Sequence, residues 1–358
     1  MAYNTSLIEI PENLIKKNEI KQISQLSALE KAKDLILNGD LVAFPTETVY
    51  GLGADATNGQ AVKKIFKAKG RPQDNPLIAH ISNLDQLERV VNTSLDQDLE
   101  KILAKFWPGP LTVILPKNNM ISDITTANLK TVGVRMPSHP VALSLINLVN
   151  RPLAAPSANT SGFPSPTRAE HVFDDLAGKI PLILGGGSCQ VGVESTIIRI
   201  EDEKIIVLRP GGISSEMLAA VSERKVVTKV NLEKNKPLAP GMKYRHYSPE
   251  TEVFLYNGEK EKLKKFLDKN NSKDIALVLT VETIDELKMN NDMHFQSNIK
   301  IIELGSQTKM EKIANRLFYI LRELDKSDND LIIVEKISEE GIGAAIMNRL
   351  YKASSAKL

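Results

Sequence analysis

Cysteine is nearly absent from this sequence, since Cys189 is the single one among 358 residues. One cysteine excludes an intrachain disulfide and a multi-cysteine zinc site. The five histidines are scattered and form no HExxH pair, which argues against a histidine-rich metal centre. Long apolar runs are also missing: no window reaches the ~20 apolar residues of a membrane span, and the acidic N-terminal segment does not read as a signal peptide. We therefore expect a soluble, cytoplasmic protein that does not bind membranes.

Several nucleotide and hydrolase signatures are missing as well. The sequence holds no GxxxxGK(S/T) phosphate loop, no GxSxG nucleophile elbow, no protein-kinase signature set and no EF-hand loop. Neither sign of charge is in excess, because 46 Lys and Arg face 44 Asp and Glu, for a net charge of +2. That balance gives no general attraction to nucleic acid or anionic membranes. An apolar fraction of 42% and a charged fraction of 25% are typical of a globular protein.

Charge and proline divide the chain into two domains and a connector. Residues 1–223 carry 22 basic and 24 acidic side chains, whereas residues 224–247 carry seven basic and one acidic. The basic stretch includes the segment PLAPG and has no sustained helix or strand period, which is typical of a linker. We therefore predict a first domain at 1–223, a linker at 224–250 and a second domain at 251–358.

Apolar runs bounded by proline or glycine predict the strands of the first domain. They are LVAFP, PLIAHI, PLTVIL, TVGVRMP, PLAAPSA, PLILG, STIIRI and KIIVLRP. A short acidic turn joins the last two into a predicted hairpin, so the sheet should be mixed. Helices are predicted at SALEKAKDLILNGD, with a Ser27–Glu30 capping box and a stop at Gly39, and at GQAVKKIFKAKG, which ends at Gly70.

The last segment alternates strands with helices. Strands are predicted at EVFLY, IALVLT, IKIIEL and LIIVEKI, with helices around 259–269, 281–288, 310–324 and 343–354. Strict alternation implies a parallel, Rossmann-like sheet covered on both faces. No GxGxxG follows its first strand, so the pattern carries no dinucleotide signature.

Polar residues follow the buried strand LVAFP in the segment FPTETVYGLG. Thr46, Glu47 and Thr48 stand at the carboxyl end of that strand, where crevice ligands bind in α/β folds. A polar strand exit with glycines for turn geometry explains the same residues.

Cations cluster at the end of the second predicted helix, in KAKGRPQDNPLIAH. The helix macrodipole alone favours Lys67, Lys69 and Arg71 there. Alternatively, Lys69 as a point charge and Arg71 as a planar fork could clamp a polyphosphate. His80 ends the strand that follows, a position where a lone histidine is more often packed than catalytic.

Small polar residues and glycines mark further strand exits. Ser157 and Asn159 of APSAN lie two apart, so in an extended chain they point to the same side, where they could bind phosphate or ribose oxygens. A simple turn explains them equally well. The segments GGGS, GVEST and LRPGG, with Ser195 and Arg209, fit either tight turns or a backbone anion nest.

Seven motifs, taken in their order along the chain, resemble those of the YrdC-type threonylcarbamoyl-AMP synthases. They are FPTETVYGLG, KAKGRPQDNPLIAH, FWPGPLT, TVGVRMPSHP, APSAN, GVESTI and LRPG. The KxR and SxN elements of that family stand here as Lys69-Gly70-Arg71 and Ser157-Ala158-Asn159. Two further segments resemble the long, two-domain form of these enzymes. They are APGMKYRHYSP and the C-terminal GIGAAIMNRLYKAS. The resemblance implies an α/β fold with an N-terminal YrdC-like twisted mixed sheet, its motifs starting near residue 25, and a C-terminal Rossmann-like parallel domain.

The resemblance also implies an activity. The family converts L-threonine, bicarbonate or CO₂, and ATP into L-threonylcarbamoyl-adenylate and pyrophosphate. A separate transferase complex then modifies the adenosine next to the anticodon of tRNAs that read ANN codons, so weak or no direct tRNA binding is expected. Mg²⁺ is expected to arrive on the ATP phosphates, without metal ligands from the protein. This chemistry needs cationic clamps and a dry pocket rather than a covalent nucleophile, in agreement with the missing elbow.

By the same resemblance, the expected site residues fall into four sets. The expected catalytic residues are Lys69, Arg71, Ser157 and Asn159. The residues expected to hold L-threonine are Thr46, His80, Arg135, Ala155 through its backbone, and Ser195. The residues expected to hold ATP are Lys69, Arg71, Thr131, Ser157, Asn159, Ser165 and Arg209. The linker is expected to close over the site as a lid through Tyr244, His246 and Tyr247.

Three other functions compete with this one. The near-neutral charge of residues 1–223 argues against a nucleic-acid-binding module. A carbamoyl-adenylating enzyme of hydrogenase maturation would carry cysteine-rich zinc segments, which this chain lacks. A scaffold with an idle first domain is disfavoured because the KxR and SxN residues are all present. For the linker, a plain tether is the alternative to a lid.

Overall fold

The computed structural model describes residues 3–228, 247–289 and 297–357. They divide into two compact units. The first contains the described residues up to 228 except 162–164, and the second contains the remainder. Within the described ranges, no helix is both long and apolar enough to span a bilayer.

The described residues of the first unit form an eleven-stranded sheet. In chain order its strands are β1 (Ser6–Glu9), β2 (Val42–Phe44), β3 (Gly51–Asp55), β4 (Ile78–His80), β5 (Leu111–Pro116), β6 (Thr131–Arg135), β7 (Leu153–Ala154), β8 (Leu182–Gly185), β9 (Thr196–Glu201), β10 (Lys204–Arg209) and β11 (Lys225–Val227). Across the sheet the order is β1-β8-β2-β3-β7-β4-β6-β5-β9-β10-β11. β4 runs parallel to β6 while β5 runs antiparallel to it, and β9 and β10 form an antiparallel hairpin. The predicted mixed sheet and hairpin are confirmed.

Helices connect these strands. In the described part of the first unit they are α1 (Glu12–Lys16), α2 (Ile20–Ser24), α3 (Ser27–Leu37), α4 (Gly59–Lys69), α5 (Leu84–Val90), α6 (Gln97–Phe106), α7 (Pro140–Val149), α8 (Ala169–Leu176) and α9 (Ser215–Ala219). Gly70 ends α4 in the left-handed conformation, as predicted. The predicted Ser27–Glu30 capping box is wrong, because α3 already begins at Ser27 and its N-cap is Leu26, which cannot donate or accept through its side chain.

Both faces of the sheet are buried. Ala43 of β2 packs into one hydrophobic cluster with residues of α4 and α6, whereas Val42 and Phe44 pack into a second cluster with residues of α3 and α7. Successive strand residues point to opposite faces, so covering both faces requires an uninterrupted apolar run. That requirement explains why the strands are visible in the sequence as short apolar runs.

Three strands of this sheet, β1, β3 and β11, are absent from the predicted set. β11 lies within the predicted linker 224–250 but pairs in parallel with β10, so the first residues of that segment belong to the first unit. β3 contains Gly51 and Gly53, whose predicted role as turn glycines is wrong because neither has a positive φ. A Cβ on Gly53 would lie 2.6 Å from Cε1 of Phe44, so close packing against that ring requires glycine. β1 lies outside the segment that resembles the family, and it pairs in parallel with β8.

The second unit has a five-stranded parallel sheet. Its strands are β12 (Glu252–Tyr256), β13 (Ile275–Thr280), β14 (Ile299–Gly305), β15 (Leu331–Glu335) and β16 (Ala356–Lys357), in the order β14-β13-β15-β12-β16. Its described helices are α10 (Lys260–Lys269), α11 (Val281–Met289), α12 (Met310–Asp325) and α13 (Gly343–Ala353). All of these strand pairs are parallel, which confirms the Rossmann-like prediction.

Tyr247, one of the three expected lid residues, packs inside the second unit. Its ring stacks on Phe318 with centroids 5.4 Å apart, and the Arg349 guanidinium carbon lies 5.6 Å from its ring centroid. Tyr244 and His246 lie outside the described residues.

Candidate active site

Three neighbouring strands place polar side chains at one level of the first sheet. His80 of β4 is the register partner of Arg135 of β6, and Arg135 is the partner of Thr112 of β5. Register partners project to the same face of a sheet. The hydroxyl of Ser195 lies 2.8 Å from that of Thr112. The structure thus brings together three of the residues predicted to hold threonine, with Thr112 as a fourth polar group that the sequence analysis missed.

Arg135 is held by an acceptor on each of two separate segments. Its Nη2 donates to Oε1 of Glu47 at 2.6 Å, and its Nε donates to the carbonyl of Gly109 at 3.3 Å. Glu47 is absent from the predicted site sets, although it follows β2 directly. Its position at the exit of β2, between Thr46 and Thr48, was the sequence feature that could have identified it as a site residue.

The loop that follows β2 is fixed by its own hydroxyls. Thr46 donates its hydroxyl to the carbonyl of Val49 at 2.6 Å and accepts from the N–H groups of Thr48 and Val49. Thr46 is buried, so this turn determines the direction of the loop. Ala155, which is predicted to hold threonine through its backbone, donates its N–H to the carbonyl of Ile78 at 3.0 Å.

Burial keeps the histidines of this region neutral. Desolvation, followed by the nearby charge of Arg135, lowers the pKa of His80 to about 3. Desolvation likewise lowers the pKa of His139, the N-cap residue of α7, to about 4. His80 Nδ1 lies 3.3 Å from the carbonyl of Ile78. The backbone of Leu153 makes a second contact with the ring, so the neutral imidazole is oriented by two backbone partners.

The KxR and SxN elements meet through Lys69. Its Nζ donates to the carbonyl of Ser157 at 2.6 Å, to the carbonyl of Asn159, and to Asn159 Oδ1 at 3.3 Å. Ser157 in turn donates its hydroxyl to Asn159 Oδ1 at 2.5 Å. Arg71 lies beyond the end of α4, and its Nη2 is 3.4 Å from the carbonyl of Pro76. The four predicted catalytic residues therefore divide into a bonded group of three and a neighbouring guanidinium.

The other residues predicted to hold ATP extend this region in two directions. Arg209 donates through Nε and Nη2 to the carbonyl of Ser195, and through Nη2 to its hydroxyl at 3.1 Å. Ser165 donates to Oε1 of buried Glu194 at 2.5 Å, one residue before Ser195. Thr131 begins β6 and Arg135 ends it, so these two side chains lie roughly 13 Å apart along the strand.

The loop between β2 and β3 connects the two groups of residues. Gly51, at the start of β3, forms a bridge with Ser157, and Tyr50 accepts the N–H of Ala158 at 2.8 Å. The same loop contains Thr46 and Glu47. These connected segments of the first unit therefore carry cations, neutral hydroxyls and an imidazole. Among the described residues, no group of three histidine, cysteine or carboxylate side chains could hold a metal ion.

The thiol of Cys189 offers no nucleophile to this site. It is buried, and desolvation raises its pKa far above neutrality. A thiol acts as a nucleophile in its deprotonated form, which burial disfavours here.

Comparison with known proteins agrees with these features. A family model described as telomere recombination, covering Sua5, YciO and YrdC proteins, matches residues 34–211, and one for the threonylcarbamoyl-AMP synthase C-terminal domain matches residues 213–355. The threonylcarbamoyl-AMP synthase of Pyrococcus abyssi is 43% identical over 91% of this chain and 94% of that protein. That of Bacillus subtilis is 42% identical over 92% and 94%.

The comparison of structures covers both units. The crystal structure of P. abyssi Sua5 complexed with L-threonine matches with a TM-score of 0.83 and 40% identity, over 99% of each chain. The sequence motifs, the fold and these relatives agree, and the chain belongs to the threonylcarbamoyl-AMP synthase family, in its long two-domain form.

Proposed function

We propose that this protein makes L-threonylcarbamoyl-AMP and pyrophosphate from L-threonine, bicarbonate or CO₂, and ATP. The observation that carries the proposal is the buried set of His80, Arg135 and Ser195 at one sheet level, in a chain 40% identical to a protein whose structure contains L-threonine. The threonine amine captures CO₂ as a carbamate. A carbamate oxygen then attacks the α-phosphorus of ATP, and pyrophosphate leaves.

The threonine site would recognise each polar group of the amino acid. Arg135 offers a fixed guanidinium to the α-carboxylate, a planar contact that lysine would reproduce poorly. Neutral His80 offers its imidazole to the amine or hydroxyl. Ser195 lies on a buried segment and adds a hydroxyl, while Thr46 shapes the loop through its own hydrogen bonds to Thr48 and Val49. Burial supports the chemistry, because a carbamate is labile in water and electrostatic contacts strengthen where water is excluded.

The nucleotide site would stabilise the polyphosphate by charge and position. Arg71 and Arg209 are the guanidinium groups assigned to phosphate oxygens, and Ser157, Asn159, Ser165 and Thr131 provide neutral contacts. Mg²⁺ would enter as the MgATP substrate, held by the phosphates. Phosphoryl-type transfer depends chiefly on positioning and electrostatics, so no covalent intermediate with the protein is required.

The product would then leave for a second enzyme. Threonylcarbamoyl-AMP is an activated acyl donor, and its use in tRNA modification belongs to a downstream transferase complex. The near-neutral charge of residues 1–223 supports weak or absent direct tRNA binding. We place this reaction in the cytoplasm, where tRNA and ATP are available.

Direct product detection tests the proposal. The purified full chain is incubated with L-threonine, bicarbonate, Mg²⁺ and ATP, and the mixture is analysed by mass spectrometry for the adenylate. We expect adenylate and pyrophosphate in equal amounts, and neither when threonine is omitted. Pyrophosphate release without threonine, or AMP without adenylate, would contradict the proposed function.

A further inference from the structure

Glu47 and Arg135 form a buried ion pair where β2 and β6 end. Arg135 Nη2 lies 2.6 Å from Glu47 Oε1, and the two side chains are 5% and 4% exposed. A buried ion pair gains little stability, because the cost of desolvating both charges offsets their attraction. A second ion pair, Asp55 with Arg151, has the same 2.6 Å separation, but only its aspartate is buried and its arginine is half exposed.

Hydrogen bonds fix both members of the pair. The N–H of Ser138 donates to Oε2 of Glu47 at 3.0 Å, so each carboxylate oxygen has one donor. The Nε of Arg135 donates to the carbonyl of Gly109. The guanidinium is planar, so acceptors at both Nε and Nη2 determine its position and its plane.

The third nitrogen of the Arg135 guanidinium, Nη1, keeps open hydrogen-bonding capacity. Among the described residues, no carbonyl or side chain accepts from Nη1 of Arg135. A charged donor with fixed orientation and open hydrogen-bonding capacity is suited to an anionic group of a ligand. Glu47 also offsets much of the positive charge of Arg135, so the buried guanidinium is not an uncompensated cation before a ligand binds.

We propose that Glu47 is a positioning residue for substrate recognition. It holds Arg135 so that Nη1 faces the α-carboxylate of the amino-acid substrate, and it does not itself touch the reacting atoms. This inference rests on the proposed function, because it takes an α-amino acid as the ligand of Arg135. It predicts that removing the charge of Glu47 weakens recognition of the substrate carboxylate specifically.

The test compares L-threonine with L-threoninamide, which lacks the carboxylate charge. Both ligands are titrated calorimetrically without ATP into the wild-type protein and Glu47→Gln. We expect the wild type to prefer threonine, and Glu47→Gln to lose about tenfold in threonine affinity while threoninamide changes less than twofold. The ratio of the two affinities reports on the carboxylate contact, and a general loss of folding would not change it selectively.

Two further variants support that comparison. Asp55→Asn removes the charge from the other 2.6 Å ion pair and should leave the threonine-to-threoninamide ratio unchanged. Glu47→Asp keeps the charge but shortens the side chain, and it should lower the ratio by at least about threefold because a fixed contact depends on length. It also serves as the test if Glu47→Gln does not fold.

The outcomes separate this inference from the proposed function. An unchanged ratio in a folded Glu47 variant, with the wild type forming the adenylate, would overturn the positioning role alone. A wild type that binds threonine with the expected ratios but forms no adenylate would overturn the proposed reaction alone. In steady-state assays the role predicts a raised KM for threonine, with the KM for ATP unchanged.

Discussion

Lys69 and Ser157 lie 88 positions apart in the chain, and Lys69 Nζ donates to the carbonyl of Ser157 at 2.6 Å. With its contacts to Asn159, this side chain fixes the backbone of the SxN segment. Lysine at this position therefore combines a positive charge with three donors directed at one loop. Loss of Lys69 should disturb the loop itself, whereas loss of Arg71 should remove a cation and leave the loop in place.

Separate substitution of Lys69 and Arg71 should show which of the two stabilises the fold and which binds the nucleotide. Lys69→Ala leaves buried carbonyls without a donor, so we expect a lower melting temperature and a loss of roughly 1.5–3 kcal/mol in transition-state stabilisation. Arg71→Ala should cost about as much in ATP affinity but little in melting temperature. Pyrophosphate release and thermal unfolding measure both effects, with exposed Lys63→Ala as the control. Wild-type pyrophosphate release by both variants would show that neither cation serves the nucleotide.

Substrate choice should follow the hydroxyl of the amino acid. A pocket that hydrogen-bonds a hydroxyl rejects analogues that lack it, because its buried partner is left unpaired. Serine retains the hydroxyl but loses a methyl group worth ~0.8 kcal/mol if that group is buried. We expect threonine to be preferred over serine, with valine poor, in an assay of amino-acid-dependent pyrophosphate release. Equal turnover of threonine and valine would contradict this.

Stability should fall in mild acid. The folded pKa values of His80 and His139, about 3 and about 4, lie below the ordinary value of 6.5. As the pH falls, these two histidines therefore take up protons in the unfolded chain before they do so in the folded chain. Their contribution to the free energy of unfolding is complete above pH ~6.5 and is lost towards pH 4. Melting temperatures measured between pH 7.5 and 4.5 should decline accordingly.

A histidine substitution checks the source of that decline. His139→Asn preserves an N-cap acceptor for α7 without a group that titrates in this range. Its melting temperature should depend less steeply on pH than that of the wild type. The same slope in both proteins would mean that other titratable groups cause the loss.

The linker should protect the adenylate if it acts as a lid. Replacing residues 243–246 with Gly and Ser leaves Tyr247 and its stacking on Phe318 intact. We expect lower adenylate formation with unchanged melting temperature, because a lid excludes water from the carbamate. Hydrogen exchange over these residues should slow in the wild type when ATP or the adenylate binds. Full activity together with unchanged exchange would leave the linker as a tether.

Much of the fold follows from local sequence, but the site depends on contacts between distant residues. Apolar runs identify β4, β5 and β6 because both faces of the sheet are buried, and Gly70 marks the end of α4. β3 escapes notice because its glycines favour turns in isolation, and close packing against the ring of Phe44 explains only Gly53. The pairing of Glu47 with Arg135 is likewise invisible locally, since the strand register brings together residues 88 positions apart.

The pairing of β1 with β8 has a consequence for the protein during its synthesis. Leu7 pairs with Ile183, so about 175 residues must follow β1 before its neighbour exists. At the usual ribosomal pace of about 5–20 residues per second, β1 waits roughly 10–35 seconds for that neighbour. During that interval, the sheet that carries the candidate active site has an unfinished edge. Completion of the sheet on the ribosome is therefore a late event, even though β1 leaves the exit tunnel before the other ten strands of this sheet.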